Sequence, residues 1–179
     1  MLIRSCLLVL CTLPLPALAA AAPDLPAVIQ CRQGVAEHGA LAPRLADPLQ
    51  AVALGLQPLP QANQFMQEFR LARPITVFGQ QTDHIAVAGA SIMAVLALPD
   101  PRPLARELAL EVAYDQGGKF MAGRELVSRD VTDPASGEAQ IESVILSVST
   151  VASHPGRTLA GCTYSLDLPA EGEAPAGGG

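Results

Sequence analysis

From Ile85 to Leu98 the chain reads IAVAGASIMAVLAL, apolar at nearly every position. A strand with one wet face alternates apolar and polar residues, whereas a continuous apolar run must be covered on both sides. A buried helix would meet the same demand. Gly79 and Gly89 interrupt the stretch, however, and Ile75, Val77 and Val87 favour strand. Residues 74–98 are therefore read as a central apolar β-hairpin or short meander. Gln80-Gln81-Thr82-Asp83 supplies its polar turn and Gly89-Ala90-Ser91 a bulge or second turn.

The remaining segments are arranged to cover this stretch. Val28, Cys31, Val35, Ala42 and Leu45 recur at three- and four-residue steps, which predicts a helix over 27–45 that Pro43 ends or kinks. Asp47-Pro48 opens a second, short helix stopped by Gly55. Residues 56–60 read as a proline-punctuated linker and 65–71 as a strand. Asp100-Pro101 repeats the helix-start signal, and the stripe Leu104, Leu108, Val112 predicts a helix over 102–114, ended by Gln116-Gly117-Gly118. Strands are expected over 119–131 (bulged at Gly123), 141–151 and 157–168, the last two joined by a turn at His154-Pro155-Gly156. The predicted class is α+β. It has an antiparallel sheet of six to seven strands, two main helices on one face, and the order helix, three strands, helix, three strands.

Residues 1–19 have the pattern of a secretory signal peptide. Arg4 is the basic residue, Leu7 to Leu10 begin the apolar core, and Ala17-Leu18-Ala19 is the small-x-small cleavage site. Cys11 follows Leu10 and so does not make a lipid-attachment site, and no stable membrane anchor is expected. Residues 20–168 then form one domain, and the proline- and glycine-rich residues 169–179 a disordered tail. Without Arg4 the chain has 10 basic and 17 acidic residues, a net charge of −7. That balance excludes nucleic acid and anionic lipid as natural partners. Six aromatic residues and no tryptophan leave little for stacking on sugars or bases.

Once the leader is removed, two cysteines remain, Cys31 and Cys162. An even pair in an oxidising compartment forms a disulfide, the alternative being two buried thiols. Cys31 falls in the apolar stripe of its helix and Cys162 on the core side of its strand, so the bond would staple the first helix to the last strand.

Chemistry is sparse. GxSxG, P-loop, HExxH and dinucleotide patterns are absent. His38, His84 and His154 are scattered among polar or turn residues and read as surface histidines. Asp83-His84 and Ser153-His154 are chain neighbours, which on a strand point to opposite faces. Met66, Met93 and Met121 lack the clustering of a copper site and read as core fillers. No catalytic, cofactor or metal residue is assigned, and no cofactor is expected. The expected function is that of an exported, periplasmic or secreted, non-enzymatic protein binding a protein partner or small ligand through a sheet face or edge. The alternative is an exported hydrolase or metal-dependent enzyme. Because the central run is apolar on both faces, Val87 and Ile92 are the candidate interface residues, facing an envelope protein or a second copy.

Overall fold

The computed structural model describes residues 23–169. The expected signal peptide and all but the first residue of the expected tail lie outside them. The element order is α1 (Leu25–Ile29), α2 (Val35–Ala46), α3 (Pro48–Ala53), β1 (Leu56–Pro58), β2 (Gln67–Val77), β3 (Gln80–Ala88), β4 (Ser91–Leu96), α4 (Arg102–Glu107), β5 (Glu111–Gln116), β6 (Lys119–Thr132), β7 (Ala139–Ser149) and β8 (Thr158–Asp167). All eight strands form one antiparallel sheet in the order β1-β2-β3-β4-β8-β7-β6-β5. The class is α+β as expected, with eight strands and four short helices in place of six or seven strands and two long helices.

The sheet is two four-stranded meanders joined through their fourth strands, β4 pairing antiparallel with β8. Each meander follows a short helix with the same local chemistry. Asp47 caps α3, its Oδ1 accepting from the Leu49 and Gln50 N–H groups at 2.9 and 3.3 Å. Asp100 accepts from the Arg102 N–H at 3.1 Å ahead of α4. Each helix then stops on a left-handed residue flanked by leucines: Leu54-Gly55-Leu56 with Gly55 at φ 80°, and Leu108-Ala109-Leu110 with Ala109 at φ 52°.

The first helix is two helices. Cys31 adopts φ 56°, and the Arg32 N–H reaches back to the Ala27 carbonyl at 2.8 Å, a helix-terminating closure that stops α1. Gly34 starts α2, its N–H donating to Glu37 Oε2 at 3.0 Å. Pro43 does not end the helix, which runs on to Ala46. The helix expected over 102–114 stops at Glu107. Left-handed Ala109 reverses the chain, and residues 111–116 form β5, with Val112 exposed on it. Gly117-Gly118, both at positive φ, are the β5–β6 turn. The turn expected at 80–83 is displaced to Phe78-Gly79, at φ 50° and 69°, so Gln80 already belongs to β3. Residues 56–58 of the supposed linker pair with β2 as β1. The bulge in β6 lies between Glu125 and Val127, not at Gly123.

One face of the sheet carries the main core. Leu25, Val28, Ile29, Leu41 and Leu45 of the helices pack on Phe69, Ile85, Ile92, Leu96, Leu146 and Tyr164. The expected disulfide is present, Cys31 to Cys162, with Cα atoms 5.3 Å apart. Tyr164 Oη donates to the Val28 carbonyl at 2.6 Å, and its ring stacks on His38 at 4.8 Å. Those contacts fix α1 and α2 to β8. The opposite face carries a smaller core of Met66, Ala86, Val95 and Leu159, with Met93 and Val151 packed against it. Its cover is not a helix. The loops at 59–66 and 150–157 lie over it, tied together where Asn63 Nδ2 donates to Ser153 Oγ at 3.3 Å.

The interface expected at Val87 and Ile92 has a different setting. Ile92 is fully buried beneath the helices and Val87 is half-buried against the same core. Exposed apolar side chains lie elsewhere, at Leu49, Val52 and Phe65 in the first half of the chain and at Val112, Tyr114, Met121, Leu126 and Ile145 on the second meander.

Candidate functional site

The loop-covered face holds the polar group of interest. In β2, Phe69 and Leu71 point to the helices, so Glu68 points the other way and is 5 % exposed. Glu68 pairs with Ala86 across the hairpin, and His84, two residues back along β3, shares that face. His84 Nε2 donates to Glu68 Oε2 at 2.9 Å. From the β7–β8 loop, His154 Nε2 donates to the same oxygen at 3.0 Å.

His154 is oriented from behind. The loop curls tightly there, His154 N–H bonding to the Val151 carbonyl at 3.0 Å and Arg157 N–H to the His154 carbonyl at 3.2 Å. Ser153 Oγ consequently reaches His154 Nδ1 at 3.0 Å. The opposite-face rule for neighbours fails here because Ser153 and His154 sit in a turn, not a strand. A continuous chain of hydrogen bonds runs from Asn63 through Ser153, His154 and Glu68 to His84.

Burial pushes the Glu68 carboxyl up, but the hydrogen bond and charge of His154, then of His84, outweigh it and hold Glu68 below the usual range. Burial lowers His84, and the carboxylate's pull only partly offsets this. At neutral pH the group is thus a buried carboxylate with His84 uncharged. Glu68 Oε1 is buried and has no hydrogen-bond partner, the one such side-chain atom among the described residues. A buried carboxylate oxygen without a donor carries a substantial desolvation cost.

His84, the most exposed of the three, lines an open groove of about 340 Å³ whose walls include Arg70, Asp83 and Arg157. Arg70 there is paired with Asp83 at 3.1 Å, so Asp83 faces an arginine and not its chain neighbour His84. Glu68, His84 and His154 are the one grouping among the described residues with three metal-ligand atoms close together, all within 4.8 Å. His38 stands apart against Tyr164, neutral by preference because burial lowers its affinity for a proton. The reading of all three histidines as surface residues is corrected for His38 and His154, both buried.

Two features of the sequence reading hid this cluster. A turn placed at 80–83 left His84 next to the bend and out of register with Glu68. His154, 86 residues beyond Glu68, was legible only as part of a Pro-Gly turn. The available signal was Glu68 itself, an acid next to the core residue Phe69 in a strand.

Fold and site define a disulfide-stapled α+β domain of two meanders, with a carboxylate–imidazole cluster roofed by loops. No protein-family model, no curated protein and no solved structure matches this chain.

Proposed function

We propose that this chain is an exported, non-enzymatic binding protein that takes an extended segment of a partner protein along the free edge of β5. The carrying observation is that, among the described residues, β5 pairs on one side only, with β6, and is exposed at all six positions. Proteins blunt unwanted edges with very short strands, lysine or proline. The opposite edge, β1, is three residues long, whereas β5 reads EVAYDQ and carries neither lysine nor proline. Val112 and Tyr114 offer apolar contacts beside it, and Glu111 favours a partner segment bearing basic residues. Export is supported by the leader-like residues 1–19 and by the Cys31–Cys162 bond.

The test is capture from the native envelope with the mature protein and with Val112→Lys/Tyr114→Lys. Both positions are exposed, so the fold should survive. One partner retained by the parent and lost by the variant is expected. Equal capture by both moves binding away from this edge, and parent dimers dissociated by the variant would make the occupant a second copy.

A hydrolase is the second reading, favoured by the Ser153–His154–Glu68 hydrogen-bond chain, which has the wiring of a nucleophile, base and orienting acid. Against it, serine and base are consecutive residues of one turn, and neither is a wall residue of the groove at His84. No labelling of Ser153 by a fluorophosphonate is expected; labelling would promote this reading.

A further inference from the structure

We propose that Glu68, His84 and His154 bind a divalent transition-metal ion, of which zinc is the natural probe. Two imidazole nitrogens and a carboxylate are a ligand set that suits zinc, leaving a fourth position for water or an incoming ligand. The three ligand atoms already converge from two strands and a loop, within 4.8 Å of one another. Metal–ligand distances of about 2.0–2.2 Å require ligand atoms roughly 3–4 Å apart, so closure needs shifts of about an ångström or less. His84 can supply that movement, because its side chain is about a quarter exposed while the other two are almost wholly buried.

Three further observations point to a cation. Glu68 Oε1 is buried and without a donor, so the carboxylate keeps an oxygen free for contact with a cation. Both histidines also aim Nε2 at one carboxylate oxygen, so two N–H protons occupy the space between the prospective ligands. Metal binding at Nε2 moves each imidazole's proton to its own Nδ1. The proton of His154 then resides on Nδ1, and Ser153 Oγ at 3.0 Å is in place to accept it, fixed in turn by Asn63. A ligating histidine whose other nitrogen is held by an outer partner is the usual construction of protein metal sites. Finally, the groove at His84 gives an ion a path to the cluster.

The experiment is zinc titration of the tag-free mature protein by calorimetry, with metal content after dialysis and the visible spectrum of the cobalt form. One equivalent of zinc, a melting temperature that rises with zinc concentration, and cobalt absorption bands of a nitrogen/oxygen site are expected. His84→Gln is the deciding variant, since its amide can still donate to Glu68 and keep the fold. Its zinc affinity should fall more than about 100-fold, and Ser153→Ala should lose about 10-fold, as outer-partner changes do. Asp83→Asn, in the groove but outside the ligand set, should bind as the parent does. No saturable zinc binding by the folded parent, or undiminished binding by His84→Gln, overturns the proposal.

Discussion

Ala109 is an alanine held at φ 52°, where the side chain of an L-residue crowds its own carbonyl. That conformation costs about 1–2 kcal/mol. The equivalent place after α3 holds Gly55. Ala109 is exposed and ends α4 through the Leu110 N–H to Ala105 carbonyl bond at 2.9 Å, so no packing opposes a change there. Ala109→Gly should therefore raise stability by up to about 1 kcal/mol, and Gly55→Ala should lower it by about as much, both read from denaturant midpoints. His38 supplies a pH dependence. Burial lowers its pKa from 6.5 in the folded protein, where it faces Tyr164 of β8 and follows Glu37 on its own helix. Tyr164 stays protonated, pushed up to about 12 by burial and then by Glu37. The unfolded chain binds the His38 proton more readily. Its contribution is thus complete above pH 6.5 and is lost as pH falls through the lower folded value. Between pH 7.5 and 5.5, His38→Gln should lose less stability than the parent; parallel curves would remove His38 as a cause.

At the scale of elements, the disulfide has the largest single effect. It joins residues 131 apart, and the chain-entropy model gives about 5 kcal/mol for a loop of that length, an upper figure. Cys31→Ser should lower the melting temperature as much as reductant lowers that of the parent, and reductant should not lower the variant further. Local signals made some elements readable and not others. The Asp47 cap and Pro48 start of α3 are adjacent in the chain, so sequence alone places that helix. The Cys31–Cys162 pair followed from counting, and the alternation Val144, Leu146, Val148 placed β7. The helix expected over 102–114 failed because Leu104, Leu108 and Val112 satisfy a helical stripe, while the reversal at Ala109 has no glycine to announce it. The β2–β3 turn has Gly79, but its other residue, Phe78, is a bulky residue at positive φ that turn preferences do not suggest. With that turn went the register, and with the register the meeting of Glu68 and His84.

For the whole molecule, the position of β8 is decisive. It is the last strand among the described residues and lies at the centre of the sheet, hydrogen-bonded to β4 on one side and β7 on the other. A chain ending after β7 would hold two separate meanders, with no Tyr164 for α1 and no Cys162 for Cys31. Deleting residues 158–179 should therefore abolish cooperative unfolding rather than merely lower its midpoint, as circular dichroism on heating would show. The same placement sets a schedule for the newly made polypeptide. Until β8 emerges, Ser91–Leu96 waits as an apolar rim, paired with β3 but with the hydrogen-bonding groups of its other side unmet. Completion comes only with β8, so the two meanders stay undocked, and the β4 rim in need of protection from its neighbours, until Thr158–Asp167 has been made.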